Sequence, residues 1–227
     1  MFHPLPLLLG DGMHVLSVIL FLAIVGIKGN GSGVSLKSQV LYLLVFLARY
    51  VDLFITFHSW YNTIMKVFFI GSTISIIAIL TNVEPAKSTY SATQDSVRHW
   101  NLLIGAGLFA MLVHLVGSGV LNIKGSSGEE FEVHYEKYSS LLFLWTFSVC
   151  LEPLAMIPQL YIFFKNRLLN KDVRIAIFVM GIYRIFYISF WVAKVYKIQD
   201  MEHHYLLYFS GVLQVLTYAD FFIYHWR

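Results

Sequence analysis

The chain has 227 residues, of which 58% are hydrophobic, 17% aromatic and only 13% charged, with a formal net charge of +3. A soluble domain carries about 25% charged residues, so this composition excludes a water-soluble globular protein and defines an integral membrane protein. A single cysteine, Cys150, excludes internal disulfides and offers no metal-binding pattern.

Seven apolar stretches approach the ~20 residues that a hydrocarbon core requires. They run over 5–27, 36–57, 60–82, 100–121, 139–163, 173–194 and 205–225. Little sequence lies outside them, so residues 1–227 are expected to form one all-α unit of seven transmembrane helices without a soluble domain. Gly10, Asp11 and His14 interrupt the first stretch and no basic region precedes it, so it reads as a retained helix rather than a cleaved leader. Counting Lys and Arg in alternate connectors gives nine on one side (Lys28, Lys37, Lys87, Arg98, Lys165, Arg167, Lys171, Arg174, Arg227) and three on the other (Lys124, Lys137, Lys197). The positive-inside rule then predicts a luminal N-terminus and a cytosolic C-terminus.

His14 lies in the first span. Histidine's ordinary pKa of ~6.5 makes it the natural pH switch of a membrane helix, against the plainer reading of a hydrogen-bonded core residue. GNGSG at 29–33 is a flexible connector. The stretch LLVFLARYVDLFITF, 43–57, reads as helix long enough to cross a bilayer, yet carries Arg49 and Asp52 near its middle. A charge at that depth costs at least ~2.5–3.5 kcal/mol, so it faces a bundle interior or a wet cavity. Arg49, Tyr50 and Asp52 are therefore functional candidates, with an Arg49–Asp52 ion pair as the structural alternative. In the third span Lys66 either snorkels or pairs with Asp52.

The connector 83–98 reads as a cytosolic loop. The glycine-rich fourth span holds His114, read as a packing residue. Residues 122–138 form the longest polar stretch. The fifth span contains Trp145, Glu152, Pro153, Pro158 and Gln159, whose backbone breaks need partners inside the bundle. In the sixth, Tyr183, Tyr187, Trp191 and Lys194 fall at i, i+4, i+8 and i+11, hence on one face. Such a stripe is either core or, ending in a lysine, a cavity wall. Gln214, Tyr218 and Asp220 are the polar positions of the seventh.

Together these positions predict a polar interior: cations Arg49, Arg184 and Lys194, carboxylates Asp52, Glu152 and Asp220, phenols Tyr50, Tyr183, Tyr187 and Tyr218. An excess of cations suits an anionic ligand, and arginine offers a planar fork for a carboxylate. No nucleophile–base pair, phosphate loop or metal spacing is present in the sequence, so neither enzyme activity nor a cofactor is expected.

The segments SLKSQVLYLLVFLARYVDLF, SWYNTIMKV, LWTFSVCLEPLAMIPQLYIF, GIYRIFYISFW and TYADFFIYHW resemble the KDEL receptors, in order and over nearly the whole chain. The resemblance implies a fold similar to the SWEET transporters, two three-helix bundles joined by helix four, and Pro158-Gln159 looks like the motif of the wider PQ-loop superfamily. It implies a receptor that binds the C-terminal retrieval signal of luminal ER proteins in the acidic Golgi and returns them to the ER. Arg49 and Tyr50 resemble the pair that holds the ligand carboxylate. Asp52, Trp145, Tyr187 and Trp191 resemble pocket residues. His14, Glu152 and Tyr183 resemble the pH-sensing group. Implied partners are retrieval-signal peptides, a COPI or COPII coat on the cytosolic side, and membrane lipid; nucleic acid is not among them.

Departures accompany the likeness. The family has an arginine where this chain has Leu7, a glutamate at Leu142, an arginine at Lys194 and an asparagine at Phe190, and the chain ends at Arg227 before a lysine-bearing tail. Losing one cation and one anion together leaves few unpaired groups, so the expected change is in ligand preference. A small-solute transporter of the PQ-loop kind, or a receptor-like paralogue with altered ligand, are the competing readings.

Overall fold

The computed structural model describes residues 5–55, 57, 59–117, 139–165, 170–197 and 205–225. The polar stretch 122–138, Arg167, Arg227 and the side chain of Lys194 lie outside the described residues. Helix α1, Leu5–Leu22, continues into a π-helical turn, Ala23–Ile27. It is followed by α2 (Leu36–Arg49), a 3-10 turn (Val51–Phe54), α3 (Trp60–Asn82), α4 (Ala86–Thr89) and α5 (His99–Gly117). Then come α6 (Ser139–Ala155), α7 (Ile157–Lys165), α8 (Lys171–Lys197) and α9 (Tyr205–His225). The described residues contain no strand, and six helical stretches are long and apolar enough to cross a membrane.

The second apolar stretch is not one continuous helix, as its sequence led us to expect. The α-helix stops at Arg49, Tyr50 takes φ −104° and ψ 24°, and the chain tightens into the 3-10 turn. In an unbroken helix residues 49 and 52 would sit three apart on one surface. The break instead lets Arg49 reach Glu152 on α6 while Asp52 pairs with Lys66 on α3.

The fifth apolar stretch is divided at Met156 into α6 and α7. Proline has no N–H, so Pro153 leaves the carbonyl four residues earlier, that of Val149, without its helical donor. Ser210 on α9 supplies one, its hydroxyl donating to the Val149 carbonyl at 2.7 Å. Helical bonding resumes with the Leu160 amide on the Met156 carbonyl at 3.0 Å. The break is thus satisfied from a neighbouring helix, as a backbone group in hydrocarbon requires.

α1 packs on α8, and α2 packs on α3 and α6, with α5 and α9 also against α6. Phe21, Leu41, Val45, Phe46, Leu151, Ile177 and Phe221 form the fully buried interior between them. Leu8, Ile64, Leu108 and Leu216 are exposed, an arrangement that a surrounding of lipid tails permits at no cost.

One end of the bundle is tied by a buried polar cluster. Ser35 caps α2, its hydroxyl accepting from the Ser38 amide at 3.0 Å and donating to Asp95 at 2.9 Å. The other Asp95 oxygen accepts from the Lys37 amide at 3.1 Å and the Tyr90 hydroxyl at 3.0 Å. Gln159 of α7 joins the same knot, donating to the Gly33 carbonyl at 2.6 Å and accepting from the Ser35 amide at 2.8 Å. Gly33 has φ +79°, which a side chain would disfavour, and a Cβ on Gly31 would lie 2.3 Å from the Ala86 carbonyl. Burial, together with the Asp95 carboxylate, pushes the Tyr90 phenol above its usual range. Asp95 is fully buried, and Asp95→Ala would strand three donors, two at the start of α2 and the Tyr90 hydroxyl. The expected loss is about 3 kcal/mol, read as a clear fall in melting temperature of the detergent-purified chain. An unchanged melting temperature would contradict this role.

Candidate functional site

Glu152, on α6, is 3% exposed and gathers cations from two other helices. Its Oε2 lies 2.5 Å from Arg184 Nη2 on α8 and 2.9 Å from Arg49 Nη2 on α2. Its Oε1 accepts from the Tyr183 hydroxyl at 3.0 Å. Gln214 on α9 accepts from Arg184 Nε at 2.5 Å and donates to the Tyr183 hydroxyl at 3.0 Å. Arg49 also donates through Nε to the Ser148 hydroxyl at 3.1 Å, and Ser148 donates to the Trp145 carbonyl at 2.6 Å.

Two guanidiniums on one carboxylate leave +2 − 1 = +1 in the core of the cluster. An uncompensated charge in a low-dielectric interior is costly, so the cluster is complementary to one more anion. Arg49 is the cation placed to meet it, because its side chain is 21% exposed against 5% for Arg184.

His14 of α1 is buried beside this cluster, but by ring stacking rather than hydrogen bonding. Its ring lies 4.3 Å from Tyr183 at an interplanar angle of 7°, and 4.3 Å from Phe69 of α3 at 29°. Its Nε2 is buried without a hydrogen-bond partner. The charges it feels are those of Glu152, Arg184 and Arg49.

Toward the α3 N-terminus the wall is aromatic and acidic. Tyr187 stacks on Trp191 at 6.1 Å and meets the Tyr183 ring edge-on at 5.7 Å, so these three positions of the α8 stripe are contiguous. Trp191 also meets Tyr208 edge-on and carries the Arg184 guanidinium over its ring at 5.8 Å. Asp11 of α1 accepts from Tyr61 at 2.7 Å and from Tyr187. Lys66 pairs with Asp52 at 2.6 Å and sits 5.7 Å over the Tyr50 ring, which stacks on Phe46. Trp145 is half-buried on α6, one turn before Ser148. Lys194 belongs to α8, but its side chain lies outside the described residues.

The structure therefore brings Arg49, Glu152, Tyr183 and His14 into one cluster and places Tyr50, Asp52, Tyr187 and Trp191 along its approach. Arg184, read as an interior cation, and Gln214, read as a polar position of the seventh span, were assigned no role in the site, and Ser148 and Asp11 were not among the candidates either. Arg184 sits next to Tyr183 in sequence, off the i, i+4 stripe that drew attention to its neighbours. A glutamine within an apolar span was the one available signal for Gln214. Among the described residues no group of His, Cys, Asp and Glu could hold a metal ion.

A chain without strands among its described residues, with multiple apolar spans and ion-paired arginines in its interior, is a polytopic membrane protein with a charged core site. Its sequence matches the ER lumen protein retaining receptor family over residues 30–194, and the chain belongs to that family. It is 36% identical to ER lumen protein-retaining receptor B of Arabidopsis thaliana over 218 residues, covering 96% of this chain and 91% of that protein. It is 34% identical to the ER lumen protein-retaining receptor of Petunia hybrida over 220 residues, 97% of this chain and 92% of the relative. The Saccharomyces cerevisiae receptor is likewise 34% identical over 220 residues, 95% and 90% of the two chains. The family is one of retention receptors rather than enzymes.

Proposed function

We propose that this protein is a receptor for the C-terminal retrieval signal of luminal ER proteins, binding it in the acidic Golgi and releasing it in the neutral ER. The observation that supports this most directly is the excess positive charge at Glu152, with Arg49 its most exposed cation. A peptide's terminal carboxylate is the anion that a partly exposed guanidinium fork recognises. Arg49 and Tyr50 receive that carboxylate. Asp52, Trp145, Tyr187, Trp191 and Lys194 line the remainder of the peptide path.

His14, Glu152 and Tyr183 make the binding pH-dependent. Protonating His14 adds a cation and a second N–H donor beside Glu152, which draws that carboxylate away from Arg49 and frees Arg49 for the ligand. Binding and proton uptake are then linked, so affinity is highest at acid pH and falls as pH rises. His14→Phe keeps the stacking on Tyr183 and Phe69 but removes the proton site. Its peptide affinity is expected to vary less than about twofold between about pH 5.5 and 7.4, where the wild type loses most of its binding. A variant that titrates like the wild type would place the switch elsewhere.

In this reading the chain crosses the membrane seven times, in two three-helix bundles joined by α5. α2 and its 3-10 turn supply the seventh span: 14 residues at ~1.5 Å and 4 at ~2.0 Å reach about 29 Å, close to the ~30 Å hydrocarbon thickness. The N-terminus is luminal, so Asp11 and Tyr61 face the lumen, while the Asp95 cluster and any contact with a COPI or COPII coat are cytosolic. The test is binding of a labelled KDEL- or HDEL-ending peptide to membranes bearing the protein at about pH 5.5 and 7.4. Saturable binding at the lower pH, lost at the higher, is expected; no saturable binding at the lower pH overturns the reading.

A further inference from the structure

Three hydrogen bonds and one ion pair close a ring through Glu152, Tyr183, Gln214 and Arg184, and its hydrogen bonds have only one consistent direction. Arg184 Nε can donate but never accept, so the Gln214 atom facing it at 2.5 Å must be the amide oxygen. The Gln214 nitrogen is thereby turned to Tyr183, where it donates to the hydroxyl at 3.0 Å. With that lone pair occupied, the hydroxyl proton of Tyr183 is committed to Glu152 Oε1. Arg184 returns to Glu152 through Nη2 and completes the circuit. Gln214 is itself fully buried, between α8 and α6.

We infer that Gln214 is a positioning residue for the ligand site: it fixes the direction of the Tyr183–Glu152 bond and holds Arg184 in place, leaving Arg49 as the ion contact that Glu152 can give up. This rests on the receptor reading above and assigns how its site is regulated. A residue with only one of the two functions of glutamine cannot do this. An acceptor alone would hold Arg184 but leave Tyr183 free to point its proton at either neighbour. An apolar side chain would leave Arg184 Nε without an acceptor, and that guanidinium would then turn more fully onto Glu152.

The groups that face this ring come from every surrounding helix. They are His14 of α1, Arg49 and Tyr42 of α2, Glu152 of α6, Tyr183 and Arg184 of α8, and Tyr218 of α9. From α3 the nearest contact is the apolar ring of Phe69 on His14.

The test uses the full chain in detergent, with Gln214→Glu and Gln214→Leu. Gln214→Glu is isosteric, keeps the acceptor for Arg184 and loses the donor to Tyr183, while adding an anion beside the proton-binding groups. An added anion favours the protonated form, so the pH midpoint of peptide binding is expected to move upward by about half a unit or more. Gln214→Leu is expected to lower affinity at acid pH about tenfold. Without any peptide, the Tyr183 C–O stretch in infrared difference spectra, assigned with Tyr183→Phe, is expected to shift in both variants, because the phenol loses the N–H it accepts from Gln214. If the wild type binds no peptide, the receptor reading falls, and the infrared band still decides the role of Gln214. A packing residue would leave the band where it was in Gln214→Glu, whatever the added anion does to the midpoint, and that result overturns the inference even if Gln214→Leu fails to fold.

Discussion

Glu152→Leu is expected to be the most damaging single change in the chain. It would leave the guanidiniums of Arg49 and Arg184 together in the interior with no carboxylate between them. Removing one partner of a buried ion pair typically costs ~3–5 kcal/mol, and here two like charges would be left behind. The variant should fail to give a monodisperse protein in detergent, or should melt far below the wild type. Glu152→Gln removes the charge but retains one acceptor oxygen, for Tyr183 or for the arginines but not for both, so it should fall between the two. Normal yield and melting temperature for Glu152→Leu would mean that the arginines are satisfied by other groups.

Arg49→Ala is expected to act in the opposite way on stability while removing function. Deleting Arg49 leaves Arg184 and Glu152 at +1 − 1 = 0, a balanced pair, so the melting temperature should not fall. Peptide affinity at acid pH should nevertheless drop by about a hundredfold or more, the equivalent of losing a charge-assisted, two-pronged contact. Arg49→Lys retains the charge but not the fork and should lose about tenfold. Loss of binding with intact stability separates a ligand-binding arginine from a structural one. A fall in both would return Arg49 to the role of helix-to-helix ion pair, with Glu152 rather than Asp52 as its partner.

Much of this site was legible from the sequence, because charges inside apolar spans are conspicuous. Arg49, Glu152 and the aromatic stripe of α8 all stood out for that reason, as did the need for partners at Pro153. The Lys66–Asp52 pair was one of the two readings the sequence offered for Lys66, and it is the one that forms; what sequence could not reveal was the partner of Arg49. Arg49 and Asp52 lie within one apparent helix and seemed natural partners. The turn at Tyr50 breaks that helix and hands each to a different neighbour. His14 was readable as a proton site, but not its stacking between Tyr183 and Phe69, which depends on three helices meeting. Gln214 and Ser210 act across α9 on bonds formed elsewhere, and nothing in the α9 sequence names the Tyr183 hydroxyl or the Val149 carbonyl they serve.

Leu7 and Leu142, two positions where the sequence departs from the pattern it resembles, are not among the residues of the Glu152 cluster. Leu7 lies one helical turn before Asp11, whose carboxylate is satisfied by the phenols of Tyr61 and Tyr187. Leu142 is half-buried on α6, one turn before Trp145. Asp52 is paired with Lys66 from within the chain. In the proposed reading these substitutions bear on which side chains of a peptide are preferred, while Arg49, Glu152 and Arg184 remain together.

In the proposed reading, a ligand carboxylate takes Arg49 from Glu152. This exchange is tested most directly by competition between two peptides of one sequence, one ending in a free carboxylate and one in an amide, for the wild-type protein at about pH 5.5. The free acid should compete for the site and the amide should bind at least about a hundredfold more weakly, since it offers Arg49 no anion. Equal competition by the two would contradict the account.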